Sequence, residues 1–346
     1  MQFQEQSNLI DYFKSSFQSN ATATAYTTSL LRYCPDLAYL KQLSQKEAED
    51  QLIQFIITNK EKGKTWAALH NYVAAVARFY LVVCDINLNL PKVKKFLPEH
   101  KRIVKDRAYT DVEILKLLEL ANERTRCVVL ILASSGIRVG VLPELAVSNL
   151  EDRGDIYRIT AYQDTDQEYI TFTTPECKQA IKQYFAIRER HGETITKKSP
   201  VIREQYDKRN SSMIAHPRKT AKPSITYILN ELLERAGMRP PISKQEHHEV
   251  ARSHGFRKFF CTTLMNADLK TELRWLLEGH SLQGNDPHYI RVTADQLETE
   301  YRKAIDLLTI DPTKRLQRKV EMLTVEKSKV DELWSEMQAM KQKMGI

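Results

Sequence analysis

The 346-residue chain lacks any stretch approaching 18 consecutive apolar residues, which argues against a transmembrane helix. Its opening, MQFQEQSNLIDYF, has neither a basic region followed by an apolar core nor a small-residue cleavage site. No signal peptide is therefore expected, and the expected location is the cytoplasm. Cysteine is scarce: Cys34, Cys84, Cys127, Cys177 and Cys261 are unevenly spaced, with no CxxC pair and no nearby CxxH. That argues against a zinc site and against a disulfide framework, and leaves each thiol as an expected small buried hydrophobe. No internal repeat is present.

What remains is a chain long enough for two ordinary domains plus an extension, with 42% hydrophobic residues to build cores. Its net charge is +8 and its pI about 9.0. A positive excess suits a binder of phosphate backbones, but charge alone is weak evidence for one.

Residues 1–90 read as helical. Ser44 with Glu47 forms a capping-box pattern that opens a helix through Leu52, Ile53, Phe55 and Ile56, with Gly63 marking its end. A second helical stripe runs through Trp66, Leu69, Tyr72, Val73, Val76, Phe79 and Tyr80, and such a stripe normally faces a core. Residues 91–107 carry Lys92, Lys94, Lys95, Lys101, Arg102, Lys105 and Arg107 against only Glu99 and Asp106. The composition predicts an interdomain linker whose cations contact DNA, although plain solvation would look the same.

A second domain is expected over 108–311. Thr110 with Glu113 is another capping box, and Cys127 to Ala133 reads as a buried helix. Residues 156–174 alternate like short β-strands around a polar turn at Asp164 to Gln167, and Pro175 starts a helix. Residues 197–223 form a long polar, basic stretch. A helix over about 224–236 follows; with Arg218, Lys219 and Lys222 ahead of it, charge placement makes it the candidate for major-groove approach. Residues 312–346 form a charged tail with Leu316, Val320, Leu323, Val330, Trp334, Met337 and Met344 at 4-3 spacing, broken by Lys327 and Lys341. That spacing suggests an amphipathic or coiled-coil helix suited to self-association.

Cutting a phosphodiester without a metal requires a nucleophile, cations around the phosphoryl oxygens and a proton donor for the leaving hydroxyl. Arginine grips two phosphate oxygens through its planar fork, and histidine donates hydrogen bonds or moves protons near neutral pH. Four segments supply such groups in order: Ser134-Ser135-Gly136-Ile137-Arg138; His254-Gly255-Phe256-Arg257; Gly279-His280; and Asn285-Asp286-Pro287-His288-Tyr289. Against this stand blander readings. Arg138 could be a salt-bridge partner, His254 a satisfied core residue and His247-His248 a solvated surface. Tyr301 is a competing nucleophile.

These segments resemble the phage-integrase type of tyrosine recombinase. That family carries an Arg in a turn after a Gly, an HxxR pair, a GH and a Tyr about nine residues later; here they read SGIR, HGFR, GH and HYIR. The sequence looks most like the archaeal and virus-borne branch. The resemblance implies a mainly α fold with a small antiparallel sheet, in a two-domain clamp. A helical core-binding (SAM-like) domain would precede an α+β catalytic domain. It also implies roles: Arg138, Arg257, His254 and His280 hold the scissile phosphate, and Tyr289 attacks it to give a 3′-phosphotyrosine. No metal, cofactor or ATP is needed. The implied partner is a specific double-stranded DNA site, held by four protomers on the nucleoid.

One element of the pattern is missing. Family members use a lysine on a β-hairpin turn as the acid that protonates the departing 5′-oxygen, and that turn should fall within Tyr162 to Tyr169, which has none. No lysine occurs between Lys116 and Lys178. Candidate substitutes are Lys197, Lys198, Lys208 and the basic residues of 218–222. An acidic residue expected three after the first Arg is Val141 here, with Glu144 nearby to serve in part. The leading reading is a site-specific recombinase that integrates and excises a mobile element. The alternatives are a host recombinase resolving chromosome dimers, or a DNA-binding relic that has lost catalysis.

Overall fold

The computed structural model describes residues 2–100, 106–241, 248–282 and 292–344. The chain forms two compact units, Met1–Val104 and Lys105–Ile346.

The first unit contains α1 (Gln2–Ser15), α2 (Asn20–Tyr33), α3 (Leu37–Gln42), α4 (Gln45–Glu61), α5 (Trp66–Val83) and α6 (Leu90–Lys94). The α4 capping box forms as the sequence suggests, with the Ser44 amide donating to Glu47 at 2.8 Å. The α5 stripe supplies Leu69, Val73, Val76, Phe79 and Tyr80 to a core shared with Phe13, Leu30, Leu52 and Ile56. Trp66 is only partly buried, with its ring 4.6 Å from His70 and 4.4 Å from His100.

The basic stretch after Pro91 does not begin as free linker. Val93 and Leu97 are buried in the core of this first unit. Nearly buried Glu49 accepts from the Asn89 amide at 2.8 Å and from Lys92 Nζ at 3.0 Å. Glu49 thus ties α6 to α4.

The second unit is built around α8 (Glu123–Ser135), whose residues from Cys127 to Ser135 are all buried. Helices α7 (Asp111–Leu120), α9 (Pro175–Arg190), α11 (Lys222–Arg235) and α12 (His254–Asn266) pack on it. The sheet is antiparallel in the order β1 (Leu150–Arg153), β2 (Ile156–Ala161), β3 (Tyr169–Phe172), with Leu150 opposite Ile159 and Arg158 opposite Phe172. Strand β1 lies outside the stretch read as strands because LEDR shows no apolar alternation; a turn at Gly154 (φ 78°) folds it back on β2. The expectation of a mostly helical protein with a small antiparallel sheet is met.

Three other expectations are corrected. The polar, basic stretch 197–223 is partly core: Val201 and Ile202 are buried, and α10 (Ser211–Ala215) lies within it. Buried Glu193 binds both Arg188 and Arg203, which are themselves buried, while Arg188 Nη1 also donates to the Pro200 carbonyl at 2.8 Å. Helix α11 starts at Lys222 rather than after it, because Pro223 fits the first helical turn, where no amide donor is needed. Of the cysteines, all five are free, but Cys84 and Cys261 are only partly buried.

Short α13 (Thr271–Leu277) leads to the site, and α14 (Ala294–Leu308) closes the core with Leu297, Tyr301, Ala304 and Ile305. The final helix, α15, runs from Pro312 to Met344. Arg315 and Arg318 at its start pair with Asp111 and Asp155, whereas residues 321–340 are exposed throughout.

Candidate active site

Four structural features place the charged groups. Helix α8 ends at Gly136, whose φ of 62° suits glycine; a Cβ there would also sit 2.1 Å from the Phe260 ring. The chain turns and exposes Arg138. Helix α12 begins at His254, so His254 and Arg257 share a face, one turn apart. Gly255 admits Tyr109 and Val250, each 2.6 Å from where its Cβ would stand. Helix α13 ends in the same way as α8, with Gly279 at φ 68° and the His280 amide donating to the Trp275 carbonyl at 2.9 Å.

Arg257 joins these segments. Its guanidinium is buried, with Nη1 donating to the Gly136 carbonyl at 2.7 Å and Nη2 donating to the Glu278 carbonyl and to His280 Nε2 at 2.9 Å. Both carbonyls lie at helix C-termini, where the backbone dipoles present negative charge. Its hydrogen bonds among the described residues thus go to two carbonyls and an imidazole, and none goes to a carboxylate. Arg138 Nη1 and Nη2 approach the Gly279 carbonyl at 3.4 and 3.5 Å. Burial, then the charge of Arg257, lowers the pKa of His280, and Arg138 acts in the same direction.

An open cleft of about 420 Å³ runs beside these groups, lined by His254, Arg257, Lys258, Glu278, His280 and Asp106 among others. The structure therefore brings His254, Arg257 and His280 to one cleft and ties Arg138 to it through Gly279. Tyr289 lies outside the described residues. Tyr301, the competing nucleophile, is fully buried; its hydroxyl donates to the Ser134 carbonyl at 2.8 Å, and burial pushes its pKa far up. It is a core residue.

The hairpin between β2 and β3 reaches the same place without a lysine. Tyr169 lies against Gly279, whose Cβ would stand 2.6 Å from its ring, and Tyr162 Oη would stand 3.4 Å from a Cβ on Gly140. Lys178, the next lysine along the chain, is buried and donates to Asp152 at 2.6 Å, so it staples the β1–β2 turn. Glu144 pairs with Lys219 at 2.7 Å and not with Arg138, which corrects the expectation that it would support that arginine. Sequence reasoning missed Lys258. It stands four residues after His254, a helical spacing that could have pointed to it.

The proposed DNA contacts differ in their surroundings. Lys94 and Lys95 are exposed, as are Arg218, Lys219 and Lys222, while Lys92 is engaged with Glu49 and Asp50. Lys101, Arg102 and Lys105 lie outside the described residues. Among the described residues, no cluster of three or more His, Cys, Asp or Glu side chains could hold a metal ion. No described helix is long and apolar enough to cross a membrane.

Comparison with known proteins supplies the family. The family model described as the phage integrase family matches residues 108–295, more than half of the chain. Tyrosine recombinase XerC of Leptospira interrogans is 23% identical over 250 residues, covering 72% of this chain and 73% of that one. Among solved structures, XerH site-specific recombinase bound to a palindromic difH substrate has a TM-score of 0.53 at 14% identity, covering 87% of this chain and 80% of its own. A λ integrase dimer bound to a COC′ core site has a TM-score of 0.53 at 15% identity, covering 83% and 98%. The Tn1549 transposon integrase with circular intermediate DNA reaches 0.54 at 15% identity, covering 85% and 99%. Matched over residues 108–295, more than half of its length, the chain belongs to the phage integrase family of tyrosine recombinases.

Proposed function

We propose that this chain, of the archaeal or virus-borne branch of its family, cleaves and rejoins double-stranded DNA at a specific site through a 3′-phosphotyrosine on Tyr289, and that it integrates and excises a mobile element. The observation that carries the reading is the arrangement of Arg257. It is a buried cation fixed by two carbonyls and an imidazole, beside Arg138, His254 and an open cleft. A guanidinium held rigid in this way, with no carboxylate bonded to it among the described residues, is ready for a phosphate. As a family member the chain is a site-specific recombinase and an enzyme.

In this reading residues 1–90 form the core-binding domain, 91–107 the basic linker, 108–311 the catalytic domain and 312–346 an association helix. Both domains would bind the duplex, with Lys94, Lys95, Lys101, Arg102, Lys105, Arg218, Lys219, Lys222 and, once freed from Glu49, Lys92 meeting phosphates. Four protomers on the nucleoid would hold the exchanging strands. Neither metal nor ATP enters, because the phosphotyrosine conserves the energy of the broken bond. The absence of lysine from the 162–169 turn favours one alternative, a DNA-binding relic; a host recombinase that resolves chromosome dimers would use the same residues.

The test is a denaturing gel for covalent protein–DNA adducts on a nicked duplex whose sequence is first selected from a randomised library by tight non-covalent binding. Wild type and Tyr301→Phe are expected to give an adduct, and Tyr289→Phe none. A wild type that shifts the duplex in a salt-dependent way yet forms no adduct would establish the relic.

A further inference from the structure

Strand cleavage needs a proton for the departing oxygen, and the hairpin that reaches the site carries none that a lysine could give. Among the described residues lining the cleft, the one lysine is Lys258. It follows Arg257 directly on α12 and lies one helical turn from His254, so the same short segment would present a phosphate grip and an ammonium. The other lysines considered are occupied or elsewhere. Lys178 is buried against Asp152, Lys219 pairs with Glu144, and Lys197, Lys198 and Lys208 do not line this cleft.

The Lys258 head group is held in place. Its Nζ donates to the Asp106 backbone carbonyl at 2.7 Å and lies 2.8 Å from the Asp106 carboxylate. An ammonium has three donors; two point at Asp106, and the third is left for a ligand. The side chain is 33% exposed, so it is ordered by Asp106 yet open to the cleft.

We propose that Lys258 is the general acid of this enzyme, taking the place of the hairpin lysine; the assignment rests on the recombinase reading above. As the tyrosine Oη bonds to phosphorus, the P–O5′ bond breaks and its electron pair goes to O5′. The Lys258 ammonium gives O5′ its proton and becomes an amine, while the phenolic proton passes to water. An alkylammonium is a stronger acid than an alcohol, so this transfer runs downhill. In the rejoining step the amine takes the proton back from the attacking 5′-hydroxyl. The hydrogen bond from Lys258 is the chief cause that holds the Asp106 carboxyl below its ordinary pKa.

The experiment compares two nicked duplexes of the selected sequence, one with the natural bridging 5′-oxygen at the scissile phosphate and one with a bridging 5′-sulfur. A thiolate leaves without protonation, so the sulfur substrate bypasses a general acid. Lys258→Ala and Lys258→Gln, the second retaining a donor for the Asp106 carbonyl, are expected to lose about 10²- to 10⁴-fold in adduct formation on the oxygen substrate. On the sulfur substrate both are expected to match wild type. Equal losses on the two substrates would overturn the assignment and make Lys258 a phosphate anchor. No loss on either would overturn it as well. A wild type that forms adduct on neither substrate would instead overturn the recombinase chemistry, and the inference with it.

Discussion

Nη2 of Arg257 lies 2.9 Å from Nε2 of His280, and a guanidinium can only donate. The contact is a hydrogen bond in the neutral tautomer of His280 whose proton is on Nδ1. The lowered pKa of His280 agrees, since burial and Arg257 both disfavour the cation. The pair orients the imidazole at the cleft, and among the described residues Nδ1–H meets no acceptor.

A pH dependence follows with a definite sign. The folded pKa of His280 lies below its ordinary value of 6.5, so the unfolded chain binds more protons in the window between the two. The contribution to stability is full above 6.5 and is lost as pH falls through the folded value. Calorimetric Tm is expected to fall more between about pH 7 and pH 5 in wild type than in His280→Gln, which cannot titrate there. Parallel Tm curves for the two proteins would count against the assigned protonation state.

Tyr301→Phe isolates a structural hydroxyl. Removing its bond to the Ser134 carbonyl is expected to cost about 1 kcal/mol of stability, measured by urea unfolding, with adduct formation kept. Loss of the adduct in a folded Tyr301→Phe protein would mean that the buried tyrosine takes part in the reaction.

Gly279 combines a φ of 68° with the Tyr169 ring 2.6 Å from its absent Cβ. Gly279→Ala is expected to cost about 1–3 kcal/mol and to displace both the carbonyl under Arg138 and the imidazole of His280. Adduct formation should drop while salt-dependent duplex binding persists. Unchanged adduct formation would show that this turn does not set the site geometry.

Glu193 is a buried carboxylate shared by Arg188 and Arg203. Glu193→Gln leaves two buried guanidiniums without their counter-charge and is expected to cost about 3–5 kcal/mol. Thermal unfolding checks this, and a loss under about 1 kcal/mol would show that neighbouring carbonyls suffice.

Leu316, Val320, Leu323, Val330, Trp334 and Met337 are all exposed along α15 at 4-3 spacing, a pattern that pairs helices. Light scattering of the full chain is expected to show self-association that Leu323→Lys with Val330→Lys reduces. A monomer at every concentration would remove this helix from the assembly.

The candidate site was legible in the sequence where its described segments are short and depend on neighbours along the chain. A glycine after a buried helix places Arg138, a three-residue spacing pairs His254 with Arg257, and a second glycine stop places His280. What stayed hidden depends on contacts between distant segments. The burial of Arg203 requires Glu193 and α9, and the burial of Tyr301 requires the carbonyl at the end of α8. The place of Lys258 depends on Asp106, 152 residues away in the chain. Strand β1 was missed because its four residues show no apolar alternation and take their pairing from β2.

The most direct test of the account is to digest the captured adduct with trypsin and sequence the DNA-linked peptide by mass spectrometry. Cleavage at Arg274, Arg291 and Arg302 separates the two candidate tyrosines, with Tyr289 in the peptide from Trp275 to Arg291 and Tyr301 in the peptide from Val292 to Arg302. The account predicts a phosphotyrosyl nucleotide on Tyr289, joined through the DNA 3′-phosphate. A link to Tyr301, or to a 5′-phosphate, would contradict it.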